Sequence, residues 1–132
     1  MPPDRLEPDD PREWLNRARS NLVRAKTELP GVYLEDLCFD AQQAAEKAIK
    51  ALLMHQRISF PYVHDLAGLL TLLLQTGEAI PNEVKQAGRL TRFAVAARYP
   101  ALVEPVTREE YAGAVAIAEA VVRWVEGLVG SS

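Results

Sequence analysis

The sequence predicts an all-α protein, an up-and-down bundle of four long helices plus one additional helix. Apolar residues recur at three- and four-residue steps through most of the chain, and capping residues, prolines and glycines separate the periodic stretches. The connectors between them are short, as in antiparallel bundles. At 132 residues, of which 48% are hydrophobic and 25% charged, the chain can bury a core. We therefore expect one domain over residues 10–132.

The first helix follows a leader of nine residues. Residues 1–9 hold three prolines and no apolar period, so we predict that they are flexible. Asp10 suits the cap of the helix and Pro11 its first position, while Pro30 and Gly31 mark its end. The predicted buried stripe consists of Trp14, Ala18, Leu22, Ala25 and Leu29.

The second helix, predicted from about residue 34 to residue 56, is the element around which the others are expected to pack. Its apolar stripe is rich in alanine, and small side chains let neighbouring helices approach closely. The stripe consists of Leu37, Ala41, Ala44, Ala45, Ala48, Ile49 and Leu52. On the other side we place polar residues that can pair one turn apart, namely Gln43, Glu46, Lys47 and Lys50. We interpret the single cysteine, Cys38, as a small buried hydrophobe.

Three further helices complete the bundle. The third, from about Asp65 to Gln75, is apolar nearly all round and is expected to be largely buried. The fourth is predicted from about residue 82 to residue 97. Its predicted apolar side consists of Val84, Ala87, Gly88, Thr91, Ala94 and Val95.

The fifth helix begins at a T-x-x-E capping box formed by Thr107 and Glu110. Its apolar surface is wide enough for two partners, because only a narrow polar strip interrupts it. One partner is the domain core. We predict that the other is a second subunit, which makes the protein a homodimer.

The fourth helix and the turn after it carry the candidate binding residues. Lys85, Arg89 and Arg92 recur at four and three residues, Arg98 follows, and no acidic residue occurs between positions 83 and 104. This pattern indicates a surface for nucleotide phosphate, RNA backbone or an acidic protein. A solvated face, or salt bridges to acids elsewhere, explains the same pattern. Tyr99 either stacks on a base or seals the core with its hydroxyl at the surface.

Three motifs together resemble the HEPN domain family. They are the A-Q-Q-A-A-E-K run at 41–47 after Phe39, the H-D-L at 64–66, and the R-Y-P at 98–100. The resemblance extends from about Trp14 to the last helix. It implies the HEPN helical bundle, a habit of pairing, and work with a separately encoded minimal nucleotidyltransferase, within a toxin-antitoxin type of system.

Many HEPN proteins are metal-independent ribonucleases with an R-x(4–6)-H motif after the fourth helix. Arg57 and His64 match the spacing, but they flank the loop between the second and third helices. At the expected place, Arg92 and Arg98 have no histidine downstream. Because histidine is the side chain best suited to acid–base work near neutral pH, we predict a non-catalytic module. The alternative is a divergent metal-independent ribonuclease toxin.

Composition and missing motifs narrow the other possibilities. The formal charge of −3 gives no global attraction to nucleic acid, and no apolar run reaches the roughly 18 residues of a membrane span. The common nucleotide and metal motifs are absent, and the chain has two histidines. We therefore expect no cofactor, no metal and no membrane, and a cytoplasmic protein. The expected partners are a second copy, a nucleotidyltransferase, and nucleotide or RNA.

Overall fold

A computed structural model describes residues 2–60, 65–99 and 105–130, and within them it contains helices and no strand. The helices are α1 (Pro11–Ala25), α2 (Leu34–His55), α3 (Leu66–Gln75), α4 (Asn82–Lys85), α5 (Thr91–Arg98) and α6 (Arg108–Val129), with a 3₁₀ segment (Gln86–Leu90) between α4 and α5. Since α4, the 3₁₀ segment and α5 follow without a break, they correspond to the predicted fourth helix. The predicted all-α bundle is confirmed.

The predicted central position of α2 is confirmed. It packs against α1 and α6 and also touches α3 and α5. Ala41, Ala44, Ala45 and Ala48 are all fully buried, so the alanine-rich stripe is where its neighbours come close.

Two residues on the other side of α2, Glu46 and Lys50, are also buried, which corrects the expectation of a separate polar face, whereas Gln43 and Lys47 there are half-buried. Glu46 is 2% exposed and Lys50 is 5% exposed, and the Lys50 Nζ lies 3.2 Å from the Glu46 Oε2. The predicted pairing of these two residues one turn apart is therefore present, but inside the protein. The rings of Trp14 and Phe60 lie about 6 Å from the Lys50 ammonium, and they screen it from water.

The first helix begins as predicted but ends earlier. The Asp10 side chain accepts a hydrogen bond from the backbone N–H of Arg12, and Pro11 is the first helical residue. The helix stops at Ala25, so Leu29 lies beyond it and is 58% exposed, which corrects its place in the buried stripe. Leu15 takes part in the core instead.

Two hydrogen bonds join the leader to α1. The Leu6 N–H donates to the Glu13 carboxylate, and the Trp14 indole N–H donates to the carbonyl of Pro8, both at 2.9 Å. The backbone hydrogen bond from Leu6 holds the pKa of Glu13 below its usual value. The flexibility of residues 1–9 stays a prediction.

The third helix is less buried than predicted. Leu66, Leu69 and Leu73 are fully enclosed, whereas Leu74 is 53% exposed. An apolar residue on every side of a short helix therefore does not mean that every side has a partner.

The predicted capping box at the start of α6 is confirmed. The Thr107 side chain accepts a hydrogen bond from the backbone N–H of Glu110, and the Glu110 carboxylate accepts one from the backbone N–H of Thr107.

The buried side of the fourth helical segment differs from the apolar side that was predicted for it. The residues that are buried recur at every third position, and they are Val84, Ala87, Leu90, Phe93 and Ala96. A three-residue period is that of a 3₁₀ helix rather than of an α-helix, and the 3₁₀ segment lies in the middle of this run. Val95, which the α-helical pattern placed inside, is 45% exposed.

Candidate functional site

The outer side of the fourth helical segment carries the candidate cationic residues. Its exposed residues include Lys85, Gln86, Arg89, Arg92, Val95 and Arg98. Over four residues a 3₁₀ helix turns about 80° further than an α-helix, roughly 480° against 400°. Lys85 and Arg89 therefore do not share the straight line that the α-helical pattern predicts.

No acidic residue occurs between positions 83 and 104 in the sequence, but the fold places one beside Arg92. Arg92 forms an ion pair with Glu110, which stands eighteen residues further along the chain on α6. The guanidinium carbon of Arg92 also lies 4.5 Å from the centroid of the Phe93 ring. The salt-bridge alternative is thus true of Arg92.

Glu110 is held in place by the cap of α6. One carboxylate oxygen accepts the backbone N–H of Thr107 at 3.0 Å, and the other pairs with Arg92. The hydrogen bonds from Thr107, with a smaller contribution from Arg92, keep the pKa of Glu110 below its usual value. The carboxylate is therefore charged at neutral pH.

The remaining cations are less constrained. Arg89 donates a 3.2 Å hydrogen bond to the neutral side chain of Gln86. Within the part of the chain that the structure describes, Lys85 and Arg98 make no hydrogen bond or ion pair through their side chains. Three of the four predicted cations are therefore available to an anion without breaking an ion pair.

Arg89 and Arg92 line one groove of about 300 Å³ between the fourth helical segment and α6. We refer to it as the arginine groove, and its α6 side consists of Glu110, Gly113, Ala114 and Ile117. Its inner boundary is formed by Leu90 and Phe93, which are almost fully buried. The groove thus combines two guanidinium groups, one carboxylate and an apolar lining.

The other predicted site residues lie outside this groove. Lys85 is at the end of α4 and Arg98 at the end of α5, and neither lines the groove. Tyr99 follows α5 and is 57% exposed, so it does not seal the core. That expectation is wrong because α5 ends at Arg98 and the backbone of Tyr99 leaves the helical conformation there.

Sequence reasoning missed Glu110 and Gly113 as parts of this site. Both belong to α6, and no local spacing joins them to the arginines of the fourth helical segment. The capping box placed Glu110 at the start of α6 but gave no indication of which helix it would face. Packing of α4 and the 3₁₀ segment against α6 determines that contact.

A second, wider groove of about 490 Å³ lies where α1 ends and α2 begins. Its apolar lining includes Val23, Leu29 and Val32, all of them exposed. Arg24 and Asp36 also line it, so the surface carries both charge signs. We refer to it as the α1–α2 groove.

The interpretation of Cys38 as a small buried hydrophobe is confirmed. It is fully enclosed, and burial raises the pKa of its thiol from 9.0 to about 12. Arg92 opposes this rise only in part. The thiol is therefore protonated at neutral pH and is a poor nucleophile.

The ribonuclease alternative rests on Arg57 and His64, and the structure describes only the first of them. Arg57 closes α2 in the left-handed conformation, with φ of 58°, whereas His64 lies outside the described residues. His55 is exposed on the last turn of α2. Among the described side chains, no group of three metal-ligating residues comes together.

None of the helices within the described ranges is both long and apolar enough to cross a membrane.

Comparison with known proteins gives the family. The sequence model of the HEPN domain matches residues 11–128. The crystal structure of ST0689, an archaeal HEPN homologue, is 28% identical, with a TM-score of 0.73 over 91% of this chain and 98% of that one. TT1696 from Thermus thermophilus is 32% identical, with a TM-score of 0.75 over 90% of this chain and 98% of that one. No curated protein matches. With its family match and these two similar folds, the chain belongs to the HEPN domain family.

Proposed function

We propose that this chain is a non-catalytic HEPN module that binds nucleotide or RNA phosphate through Lys85, Arg89, Arg92 and Arg98, with Tyr99 beside them. The observation that carries the proposal is the pair of arginines in the arginine groove. Among the described residues, Arg89 has only a neutral amide partner there, and Arg92 also lines the groove, with one exposed carboxylate partner.

The chemistry of these side chains suits phosphate. A guanidinium offers several N–H donors in a planar fork and can bind two phosphate oxygens at once. Lys85 precedes the groove residues along the chain and Arg98 follows them, and both add exposed positive charge outside the groove. Binding of this kind releases counterions and weakens as salt rises.

Phosphate binding requires no general base, and this is the reason for preferring a binding role to cleavage. The described residues bring no histidine into the arginine groove. The Cys38 thiol, a potential nucleophile in the core, is buried and protonated. These features support a surface that holds a phosphate rather than one that breaks a phosphodiester bond.

RNA binding by charge-reversed variants tests this function. We expect Arg89→Glu with Arg92→Glu to lose most of its affinity for a short single-stranded RNA, and its salt slope to fall by about one to two units. Fluorescence anisotropy in metal-free buffer measures both quantities. The control is Arg5→Glu with Lys26→Glu, which changes the net charge equally but lies on the leader and the end of α1. Equal RNA affinity of the two double variants would contradict the proposal.

The same buffer also separates binding from the ribonuclease alternative. We expect the RNA to remain intact on a denaturing gel with the wild type. Cleavage that disappears in His64→Ala, but survives reversal of Arg89 and Arg92, would establish the alternative.

We further propose that the chain works with a minimal nucleotidyltransferase in a toxin-antitoxin type of system, as the HEPN resemblance implies. The α1–α2 groove supports a protein partner, because its apolar residues are exposed and charges of both signs surround them. Co-expression with a nucleotidyltransferase from a neighbouring gene, followed by gel filtration, tests this. We expect a joint peak with the wild type that Leu29→Asp disrupts and Leu74→Asp preserves.

A further inference from the structure

Lys47 belongs to a row of polar side chains between α1 and α2. Its Nζ donates a 2.8 Å hydrogen bond to the side-chain oxygen of Asn21, and the side-chain amide of Asn21 donates in turn to Asp40 at 3.1 Å. Asn21 and Asp40 are buried, whereas Lys47 is half-buried. The amino group of Lys47 is therefore held in place, and within the described part of the chain its hydrogen-bond partner is a neutral amide.

Two arginines of α1 flank Asn21 along the helix. Arg17 stands four residues before Asn21 and Arg24 three residues after it, so all three share one side of α1. Arg17 binds Glu13 through its Nε atom at 2.7 Å, and its side chain is 53% exposed. Arg24 contacts Asp40 through Nε at 3.5 Å and is 70% exposed. Within the described chain the terminal amino groups of both arginines make no hydrogen bond, so their N–H donors are available to an anion from solvent.

The surroundings of Lys47 favour its neutral form. Burial lowers the pKa of Lys47 from its ordinary value of 10.5, and the positive charge of Arg17 lowers it further, with a smaller contribution from Arg24. The carboxylates of Glu46 and Asp40 act in the opposite direction without cancelling this decrease. The neutral amine carries a free electron pair and is the nucleophilic form of lysine. Lys47 is therefore a better nucleophile at neutral pH than an ordinary surface lysine.

The charge beside Lys47 determines which reagent it prefers. An acyl phosphate has a reactive carbonyl carbon directly next to a negative phosphate group. A guanidinium binds two phosphate oxygens at once through paired N–H donors. Arg17 can therefore hold the phosphate while the carbonyl carbon faces Lys47, whereas a neutral acyl donor gains nothing from Arg17.

We propose that Lys47 is an acylation site for acyl phosphates, with Arg17 as the group that binds the phosphate. The electron pair of Nζ forms a bond to the carbonyl carbon, the bond from this carbon to the phosphate oxygen breaks, and inorganic phosphate leaves with that electron pair. The displaced proton of Nζ passes to water. The amide product has lost the positive charge of Lys47 but keeps one N–H for Asn21. The site shares no residue with the arginine groove, so the inference does not depend on the proposed function.

Acetyl phosphate tests the reactivity of Lys47 in the intact protein. Mass spectrometry of digested samples, taken after short incubations, measures the acetylation rate of each lysine. We expect Lys47 to react about threefold or more faster than Lys85 at about pH 8, because Lys85 is exposed and makes no ion pair among the described residues. The rate at Lys47 should also reach its plateau at a lower pH than the rate at Lys85. A rate at Lys47 equal to or below that at Lys85 would overturn the acylation site.

Arg17→Gln tests the phosphate contact. Because the loss of this charge also raises the pKa of Lys47, the variant is compared with two reagents, acetyl phosphate and the uncharged N-hydroxysuccinimide ester of acetic acid. We expect the ratio of the two Lys47 rates, acetyl phosphate over ester, to fall about threefold or more, since only acetyl phosphate uses the guanidinium. The control is Arg12→Gln, which removes an ion-paired arginine of α1 with 52% exposure and should leave this ratio unchanged. An unchanged ratio in Arg17→Gln would overturn the role of Arg17.

Discussion

The hydroxyl of Tyr111 donates a 2.5 Å hydrogen bond to the backbone carbonyl of Ala25. Ala25 is the last residue of α1 and Tyr111 lies in the first turns of α6, so the bond joins two helices that are far apart in sequence. It satisfies one of the carbonyl groups that a helix leaves unpaired at its end. Both residues are buried, so water does not replace this bond.

We expect Tyr111→Phe to lower the free energy of unfolding by about 1–3 kcal/mol, because it leaves the buried carbonyl of Ala25 without its donor. Urea denaturation measures the change. The control is Tyr33→Phe, since Tyr33 is 76% exposed and its hydroxyl stays in water. A stability of Tyr111→Phe equal to that of the control would mean that the bond contributes nothing to stability.

Leu52 tests the central position of α2. Its side chain is fully buried among the helices that surround α2, and we expect Leu52→Ala to lose about 2–5 kcal/mol through lost burial and the cavity left behind. Leu74→Ala, on the exposed side of α3, should change the denaturation midpoint little. An unchanged midpoint for Leu52→Ala would show that α2 is not central to stability.

The fold was predictable because its local signals agree. The Asp10 cap, the alanine-rich stripe of α2 and the capping box before α6 each place a helix, and no tertiary contact overrides them. The polar side of α2 was not predictable in this way. A helical period separates two faces, but it cannot tell that a second layer of the bundle, including Trp14, covers Lys50.

The candidate site was predictable only in its residue types. The sequence indicated the cations, but not that a 3₁₀ segment would turn Lys85 away from the line of Arg89 and Arg92. A signal for it was present, since Leu90 and Phe93 continue a three-residue apolar repeat and Gly88 weakens the α-helix there. The ion pair of Arg92 with Glu110 depends on the packing of α6, for which the sequence alone carries no such signal.

The buried thiol of Cys38 gives a pH dependence. Its pKa is raised in the folded protein, so its contribution to stability is complete below the unfolded pKa of 9.0 and is lost as the pH rises toward about 12. From about pH 8 to about pH 10.5, we expect the wild type to lose about 2 kcal/mol more stability than Cys38→Ala. Urea denaturation at several pH values measures the two slopes.

A second buried group, Tyr111, titrates in the same pH range. Burial raises its pKa, with smaller contributions from Glu28 and from the Cys38 thiolate, so this tyrosine destabilises the fold at alkaline pH in both proteins. The difference between the slopes therefore reports the thiol together with its effect on Tyr111. Parallel slopes would show that the thiol ionises in the folded protein about as easily as in the unfolded chain.

The last prediction is that the protein is a homodimer with the outer side of α6 in its interface. On this helix Val121 and Val125 face the core, whereas Trp124 is half-buried and Leu128 is exposed, and a stable two-fold contact should bury at least about 1,000 Å². Light scattering at micromolar concentration should give a dimer mass for the wild type and for Leu74→Glu, and a monomer mass for Leu128→Glu, which brings a charge into the contact. A monomeric wild type would refute the dimer. A dimer that survives Leu128→Glu would move the interface away from this side of α6.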